Sequence, residues 1–406
     1  MLLSVIIVNY NVKYFLEQCL CSLEKSLLAA GLQTVNPVSD VSADTPFSTA
    51  SAEIFVVDNH SSDGSMEWLP PRFPGVQFID LQDNIGFGRA NNHALAKAGG
   101  KYILFLNPDT VLAEDSLLTI LTFMESAPAA GAAGVRMIDG GGRFLKESRR
   151  GFPSPWVAFC KLAGLTALFP RSPRFAEYYL GYLPETQNHP APILSGACMT
   201  VRKAVLEITG GFDEQFFLYA EDIDLSYRIG QAGYTNYYIA DTTILHYKGE
   251  STFKDARYVK LFYKAMSQFR RKHFKGALPF LYDTLMEAAI WSRAALTAIE
   301  NLFMRKNRTT GGPGLRTWVG GEPADARRLM DLLSRGDRRV VSDPAQASEI
   351  IYCEGAHFPF KKIIEAMQED GGGQVIYKIH AAAGAAAVGS HSKDERGETL
   401  FFPPKA

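Results

Sequence analysis

The N-terminal third of the chain alternates between short apolar runs and amphipathic segments, and this alternation constrains the fold more than any other feature. Leu2–Val8 is a continuous run rich in Val and Ile, which is typical of a strand buried on both faces of a parallel sheet. Apolar residues then recur at helical spacing from Phe15 to Leu27. Helical patterns also separate and follow three further predicted strands, at Ile54–Val57, Val76–Ile79 and Lys101–Leu106. The pattern predicts a Rossmann-like α/β fold with a mostly parallel sheet and flanking helices.

Composition narrows the classes of protein that fit. The 406 residues carry a formal net charge of -1, so the chain has no overall positive field for a nucleic acid, and we expect no nucleic-acid partner. The 5 cysteines include no C-x-x-C pair and are typical of reduced thiols in a cytosolic protein. No basic leader precedes the first apolar run, and no window approaches about 20 apolar residues. We therefore expect a cytoplasmic protein without a signal peptide or a membrane span.

Changes in composition divide the chain into three predicted parts. Residues 1–255 form the α/β unit, with a flexible insertion near 33–53 that is rich in Ser, Thr, Ala and Asp. Residues 256–304 have a helical pattern and form an amphipathic extension. After a linker-like stretch, residues 315–406 predict a small C-terminal α/β domain of unknown role, frayed from Ala381 onward.

A basic cluster lies inside the predicted helical extension. It consists of Arg270, Arg271, Lys272, His273 and Lys275, and apolar residues at helical spacing follow it. Two interpretations stay open at this point. The extension could lie on an anionic membrane surface and make the protein peripheral to the membrane, or it could pack on the α/β unit.

Three carboxylates occur within four residues at Glu221, Asp222 and Asp224, directly after the apolar run Phe216–Tyr219. The amphipathic pattern that follows predicts a helix beginning at these acids. One acid would be enough to stabilise a helix N-terminus, a contribution of about 0.3–1 kcal/mol. Three acids after an aromatic run indicate a carboxylate at the edge of a pocket, where partial desolvation raises its pKa toward that of a general base.

Polar residues cluster where predicted strands end, which is the edge at which open α/β sheets bind ligands. Asp109 follows one strand, with Asn107 two residues earlier, and its carboxylate could hold Mg²⁺ or Mn²⁺ against a diphosphate. An Asx turn after Pro108 is the alternative. His246, near a later strand end, could be a further ligand, and a structural histidine is the alternative.

Three more residues have side chains that suit a nucleotide. Asp58 could accept a hydrogen bond from a nucleobase imide N–H, and Tyr10 could cover the face of the base. Arg89, at the start of a helix, could contact phosphate oxygens. A helix cap, an aromatic residue at the core edge and a solvated cation are the respective alternatives.

Six motifs carry a resemblance to a known family. The chain resembles family 2 glycosyltransferases, most of all their bacterial rhamnosyltransferase-type branch, over residues 1 to about 275. The motifs occur in the family's order: Ser4–Asn11, Val56–Asn59 with Ser62–Ser65, Asn84–Gly88, Phe105–Asp109, Gly210–Glu214 and Glu221–Leu225. The resemblance implies a GT-A fold and a hexosyltransferase that inverts the anomeric carbon by direct displacement.

The resemblance also implies roles for individual residues. Asp222 matches the catalytic base, with Glu221 and Asp224 as acceptor-positioning neighbours. Asp109 and His246 match the ligands of a divalent cation, Mn²⁺ or Mg²⁺. The chain has Asn107-Pro108-Asp109 where many members have Asp-x-Asp, which removes one charge from the metal site. The donor-binding residues are Asn9, Tyr10, Asp58, Asn84, Gly86, Arg89 and Asn107.

Substrates and alternatives follow from the same resemblance. The implied donor is a dTDP- or UDP-sugar, with rhamnose as a candidate sugar. The implied acceptor is a saccharide or polyprenyl-diphosphate-linked hydroxyl in bacterial cell-surface polysaccharide synthesis, at the inner face of the cell membrane. One alternative is transfer of another nucleotide sugar onto a protein or small molecule. Another is a catalytically inactive protein of the same fold that binds a nucleotide sugar or a partner. A nucleotidyltransferase is disfavoured because Asn9–Lys13 is not a Gly-rich basic loop.

Overall fold

The computed structural model describes most of the chain, in segments separated by short gaps. The described residues are 1–34, 47, 50–152, 154–249, 256–274, 315–335, 338–370, 375–390 and 397–402. Most of the insertion predicted near 33–53 lies outside them. The strand that follows the insertion begins at Ser51, three residues before the predicted start.

Two sheets account for most of the strands. The N-terminal strands are β1 (Leu3–Asn9), β2 (Gln33–Thr34), β3 (Ser51–Asp58), β4 (Val76–Asp80), β5 (Tyr102–Leu106), β6 (Thr110–Val111), β7 (Ala130–Ile138), β8 (Arg149–Arg150), β9 (His189–Pro190), β10 (Ile193–Leu194), β11 (Cys198–Arg202) and β12 (Thr235–His246). The C-terminal strands are β13 (Arg316–Gly321), β14 (Arg339–Val340), β15 (Glu349–Cys353), β16 (Ile376–His380), β17 (Ala386–Gly389) and β18 (Glu398–Phe401).

Helices lie between these strands. In the N-terminal part they are α1 (Lys13–Ala30), α2 (Ser65–Trp68), α3 (Phe87–Leu95), α4 (Ser116–Ser126), α5 (Pro155–Leu162), α6 (Leu165–Leu168), α7 (Lys203–Thr209), α8 (Glu221–Gln231) and α9 (Ala256–His273). In the C-terminal part they are α10 (Pro323–Ser334) and α11 (Phe360–Glu369). Helix α8 begins at the first of the three acids, so the predicted start of that helix is confirmed.

The large sheet has the order β2-β3-β1-β5-β11-β7-β12-β6, with β4 paired to β3 and β9 paired to β12. Strands β1, β3, β4 and β5 are parallel, whereas β11 runs antiparallel between β5 and β7. Alternate residues of β1 face opposite layers: Val5 and Ile7 pack with α1, and Ile6 and Val8 pack with α3. The mostly parallel sheet with helices on both faces is the arrangement that the alternation and the GT-A resemblance predicted, and this prediction is confirmed.

Strand β7 is a central strand that the apolar pattern does not predict. Its sequence, AGAAGVRMI, is mainly small residues, which have little intrinsic preference for strands. Gly131 is required by packing, because an added Cβ would lie 2.6 Å from Cγ2 of Ile229 on α8. The small side chains of β7 therefore let α8, which carries the acids, approach the sheet closely.

The C-terminal sheet has the order β14-β13-β15-β16-β17-β18. Its first four strands in this order are parallel, and β17 and β18 are antiparallel additions. The expectation of a frayed end from Ala381 is wrong, because β17 and β18 complete this sheet and Val388 is fully buried.

The C-terminal unit packs tightly on the first unit. Residues of β15, β16 and α11, including Tyr352 and Phe360, share one hydrophobic cluster with α1. The Tyr247 hydroxyl donates to Gln18 Oε1 (2.8 Å) and to the Val388 carbonyl (3.2 Å). Gln18 Nε2 in turn donates to the Ile379 carbonyl at 2.7 Å. These bonds tie the residue after His246 to strands β16 and β17 of the second sheet.

Helix α9 packs against α8 through buried Ala265 and Phe269. Lys272 and His273 of the basic cluster bind the Asp224 carboxylate, so these two side chains face the protein. The rest of the predicted extension, from residue 275 to 304, lies outside the described residues. Across the part of the chain that the structure describes, we find no helix with the length and apolarity needed to cross a bilayer.

Candidate active site

The ends of β1 and β3 form the first part of the site. Asn9 and Asp58 are register partners, and Asn9 Nδ2 donates to Asp58 Oδ1 at 2.6 Å. The second carboxylate oxygen of Asp58 accepts the Ser61 backbone N–H at 2.8 Å. Both side chains are buried, and Tyr10 is half-buried directly after β1. The predicted donor-binding residues Asn9, Tyr10 and Asp58 thus lie together at the carboxyl edge of the sheet.

The start of α3 forms a neighbouring wall. Asn84 Oδ1 accepts from Asn59 Nδ2 (3.0 Å) and from the Gly86 backbone N–H (3.1 Å), which fixes this turn beside the end of β3. Gly86 has φ +89°, and an added Cβ would lie 2.7 Å from the Phe217 carbonyl oxygen, so the position requires glycine. Arg89 is exposed and lies 3.5 Å from the Glu214 carboxylate. Asn84 and Gly86 therefore shape the turn, and the phosphate contact of Arg89 stays a prediction.

The two predicted metal ligands are brought together across β6 and β12. Because Thr110 pairs with His246 in the antiparallel ladder, the His246 ring reaches Asp109, with Nε2 3.3 Å from Oδ1. Asn107 Nδ2 lies 3.4 Å from the same imidazole nitrogen. Both Asp109 and His246 are buried. One carboxylate, one imidazole and one amide thus converge at the end of the sheet.

Asp222, the predicted base, has one carboxylate oxygen, Oδ2, that is held by groups distant in the sequence. Arg150 of β8 donates to Asp222 Oδ2 at 2.5 Å, and the Gly196 backbone N–H donates to the same oxygen at 3.2 Å. Oδ1 accepts the Ile223 backbone N–H at 2.8 Å. Burial opposes the charged form of Arg150, but the Asp222 carboxylate, together with Tyr178 and Glu147, outweighs it and raises the pKa of the guanidinium. The carboxylate therefore has a fixed orientation at the start of α8.

A single short segment connects the two halves of the site. The Gly196 N–H donates to Asp222, and the carbonyl of the next residue, Ala197, accepts the Asn107 backbone N–H at 2.9 Å. The predicted base and the Asn107–Asp109 turn are therefore anchored on adjacent residues of the segment Ser195–Ala197. A carboxylate that can accept a proton thus lies near a second carboxylate that can hold a cation.

Glu221 has a different environment from its neighbour. Burial, together with the charge of Asp222, raises the pKa of the Glu221 carboxyl to about 8. Among the described residues, no group hydrogen-bonds its Oε2. The two residues before it, Tyr219 and Ala220, both have positive φ, 70° and 65°. Left-handed backbone at two successive non-glycine residues stores strain that is typical of functional sites.

The raised pKa of Glu221 predicts a pH effect on stability. The folded chain keeps a proton on Glu221 that the unfolded chain releases above pH 4.5, so the free energy of unfolding falls as pH rises from 4.5 through about 8. Glu221→Gln removes this titration, and we expect its thermal midpoint to fall less than that of the wild type between about pH 6 and about pH 9. Glu207→Gln, at an exposed glutamate of α7, is the matched control. Equal pH dependence in all three proteins would contradict the expectation.

Asp224 is placed at a junction of helices. Its side chain has no exposed surface and accepts from Arg228 (2.7 Å), Lys272 (2.7 Å) and His273 (2.6 Å). Burial raises the pKa of the Asp224 carboxyl, but the charge of Arg228 and the hydrogen bonds from Lys272, His273 and Arg228 outweigh it and lower the pKa. These contacts tie α9 to α8, and the acceptor-positioning role of Asp224 stays a prediction.

Arg150 is the residue at this site that sequence reasoning missed. It lies in a Pro- and aromatic-rich stretch with no regular period, and a two-residue strand carries it. Its position depends on pairing with Ile193 in β10, and its Nη2 also donates to the Leu194 carbonyl at 2.9 Å. The only local signal is an Arg-Arg pair before a glycine, and such a pair is too common on protein surfaces to indicate a buried cation.

Comparison with known proteins identifies the family. The model of "Glycosyl transferase family 2" matches residues 4–209. The N-acetylglucosaminyl-diphospho-decaprenol L-rhamnosyltransferase of Mycobacterium tuberculosis (strain ATCC 25618 / H37Rv) is 31% identical over 244 residues, which are 57% of this chain and 74% of that protein. Rhamnosyltransferase WbbL of Escherichia coli (strain K12) is 30% identical over 204 residues, 48% of this chain and 72% of that protein.

Solved structures also match, at lower identity. The mannosyltransferase PcManGT from Pyrobaculum calidifontis, in complex with GDP-Man and Mn²⁺, superposes with a TM-score of 0.43 and 17% identity, covering 82% of this chain and 79% of that one. The family model and the sequence relatives decide the assignment. A family match that spans half of the chain, and a relative of which the chain covers 74%, make this protein a member of glycosyl transferase family 2.

Proposed function

We propose that this glycosyltransferase transfers a sugar, with rhamnose as the first candidate, from a dTDP- or UDP-sugar. The acceptor in this proposal is a hydroxyl of a saccharide linked to a polyprenyl diphosphate, used in bacterial cell-surface polysaccharide synthesis. The names of the Mycobacterium tuberculosis and Escherichia coli relatives support rhamnose, and the former also supports the lipid-linked acceptor. The reaction would take place at the cytoplasmic face of the membrane, where the protein would be peripheral.

One observation carries the proposal: Asp222 and the turn that holds Asp109 beside His246 are anchored on adjacent residues of the Ser195–Ala197 segment. Transfer with inversion needs a base on the acceptor side and charge compensation on the diphosphate side. The two groups are held independently, Asp222 by Arg150 and Gly196, and Asp109 by its contact with His246. Two independently held groups suit a reaction in which Asp222 acts on the acceptor and Asp109 acts on the donor.

The chemical step follows from that geometry. The acceptor oxygen attacks the anomeric carbon, and a new C–O bond forms as the bond from that carbon to the diphosphate oxygen breaks. Asp222 takes the proton of the acceptor hydroxyl, and the electron pair of the broken bond leaves with the nucleoside diphosphate. Arg150 and the Gly196 N–H hold Asp222 Oδ2, which leaves the second lone pair of Oδ1 for the proton.

The residues near His246 fit a divalent cation. Mg²⁺ and Mn²⁺ are commonly bound by one or two protein side chains, with substrate phosphates completing the shell. Asp109 and His246 supply one oxygen and one nitrogen, and the imidazole favours Mn²⁺ over Mg²⁺. A bound cation would offset the negative charge that develops on the leaving diphosphate. In the parts of the chain that the structure describes, no group of three or more His, Cys, Asp or Glu side chains is placed to hold a metal ion. The substrate phosphates would therefore have to supply the other ligands.

The function is tested by nucleoside diphosphate release from a panel of nucleotide sugars. The full chain is incubated with each donor and a polyprenyl-diphosphate-linked saccharide, with Mn²⁺ or with a chelator. We expect one donor to support release, and the chelator to abolish it. Release from no donor when acceptor and metal are both present would reject the proposed reaction.

Removal of the imidazole tests the metal site separately. In His246→Ala the cation loses one of two protein ligands. We therefore expect the Mn²⁺ concentration that gives half-maximal activity to rise at least about tenfold. His93→Ala, at an exposed histidine of α3, is the matched control and should need the wild-type concentration. An unchanged Mn²⁺ requirement in His246→Ala would remove this residue from the metal site.

A further inference from the structure

Exposed apolar side chains are concentrated on the helical pair α5–α6 and the turn after it. Trp156 is 42% exposed, Phe159 54%, Leu168 70% and Phe169 46%. Only five other large apolar side chains of the described residues are exposed, and they are scattered: Met1, Leu28, Ile208, Phe217 and Phe401. We call Trp156, Phe159, Leu168 and Phe169 the aromatic patch. Such clustering marks an interaction surface, whereas single exposed apolar residues are normal on a soluble protein.

Ring contacts make the patch continuous. The Trp156 ring lies 5.8 Å from Phe159 and 6.1 Å from Phe175, and Phe175 lies 5.3 Å from Phe169. Trp156 Nε1 donates to the Arg174 carbonyl at 3.0 Å, which fixes the indole on the turn. The exposed rings are thus anchored side by side and do not depend on a partner for their arrangement.

The segment that carries the patch has a positive net charge. Residues 151–176 contain Lys161, Arg171 and Arg174 and no Asp or Glu. Arg171 and Arg174 are exposed, and the Arg174 guanidinium lies 5.6 Å from the centre of the Trp156 ring. Aromatic rings and leucine with cations at their rim are the composition that binds at the headgroup level of an anionic bilayer.

The patch is connected along the chain to Arg150, which holds the predicted base Asp222. The chain passes from Arg150, which holds Asp222, through Phe152 to the start of α5. The Phe152 ring stacks on Tyr227 of α8 at 4.8 Å, which fixes this passage against the helix that carries the acids. A surface that binds at the start of α5 would therefore be joined by a short, fixed stretch of chain to the residue that holds Asp222.

We propose that the aromatic patch docks the enzyme on the surface of an anionic lipid bilayer. The proposal rests on the proposed function, because a lipid-linked acceptor presents its hydroxyl close to such a surface. Trp156 and Phe159 enter the headgroup region, and Arg171 and Arg174 contact lipid phosphates. The docked surface is α5–α6, which differs from the 256–304 extension that the sequence singled out.

Vesicle flotation of the full chain tests the docking. The vesicles contain phosphatidylcholine alone or an equal mixture with phosphatidylglycerol. We expect the wild type to float with the anionic vesicles and Trp156→Ser/Phe159→Ser to bind them about tenfold more weakly. Arg171→Glu/Arg174→Glu should weaken binding by about fivefold or more for each cation removed, and only for the anionic vesicles. Circular dichroism checks that each variant is folded.

The matched control removes two exposed apolar residues from other surfaces. Ile208→Ser/Phe401→Ser takes away side chains that are 65% and 54% exposed and should bind like the wild type. Wild-type binding by Trp156→Ser/Phe159→Ser, or no flotation of the wild type, would overturn the proposal; the latter would favour a protein partner for the patch. Flotation needs no turnover, so it separates this proposal from the proposed reaction. Nucleoside diphosphate release without flotation rejects the docking alone, and flotation without release rejects the reaction alone.

Discussion

Asp222→Asn is expected to lower kcat by a factor of about 10² to 10⁴ and to leave donor binding nearly unchanged. The amide has the size of the carboxylate, and its oxygen can still accept a hydrogen bond from Arg150. In the wild type, Nη2 of Arg150 lies 2.5 Å from Asp222 Oδ2. It cannot take the proton of the acceptor hydroxyl. The measurement is donor-dependent release of nucleoside diphosphate, with calorimetry of donor binding for the same protein.

Glu221→Gln is the comparison that identifies the base. Glu221 is adjacent and buried, and its pKa is raised to about 8, so it could take a proton only once it has lost its own, near and above that pH. If Asp222 is the base, Glu221→Gln should keep most of the wild-type kcat. If Glu221→Gln loses activity and Asp222→Asn retains it, the role assigned to Asp222 belongs to its neighbour.

Lys378→Met in the C-terminal unit is expected to lower the free energy of unfolding by about 3–5 kcal/mol, because it breaks a buried ion pair. Neither Lys378 nor Glu349 has exposed side-chain surface, and Nζ lies 2.5 Å from Oε1. Glu349 also accepts from Thr317 at 2.6 Å and from Arg338. Removing the lysine leaves a buried carboxylate with one cation fewer. Chemical denaturation of the full chain measures the loss.

Two further variants and a pH series make this expectation specific. Lys361→Met breaks the exposed pair with Asp115 and should cost at most about 1 kcal/mol. Lys378→Met/Glu349→Met removes both charges and should recover most of the stability.

Burial opposes the charge of Glu349, but Lys378, Arg338 and Thr317 outweigh it and lower its pKa. The contribution of the pair is therefore present above pH 4.5 and is lost as pH falls through the lowered value. Equal losses in Lys378→Met and Lys361→Met would contradict the buried-pair account.

Local pattern was enough to predict the parts of the fold whose sequence is either a continuous apolar run, as in β1, or an amphipathic helical period, as in α8. Strand β1 and the start of α8 were predicted to within about two residues, which is the usual uncertainty of element ends. Strand β7 was missed because its alanines and glycines have no strand preference and owe their place to close packing by α8. Strands β17 and β18 were missed for a related reason, since pairing with β16 orders a segment whose sequence alone resembles a tail.

The candidate site was predictable one residue at a time, but its contacts were not. Asp109 and His246 were each chosen from a strand end, and their 3.3 Å contact comes from the antiparallel pairing of β6 with β12. The Arg150–Asp222 pair joins residues separated by 72 positions. Such a partner has no periodic signal in the sequence, because it is specified by the path of the chain between β8 and α8.

The bonds between the two units limit how this enzyme can be recombined with its relatives. Gln18 and Tyr247 belong to the catalytic unit, yet their side chains complete the hydrogen bonding of Ile379 and Val388 in the other. The Glu114 carboxylate likewise accepts the backbone N–H groups of Phe360 (2.8 Å) and Lys361 (2.9 Å) at the start of α11. A chimaera that exchanges residues 315–406 without these three side chains would leave buried polar groups unmatched. The C-terminal unit therefore depends on side chains of the catalytic unit for these hydrogen bonds, and it is not a detachable module.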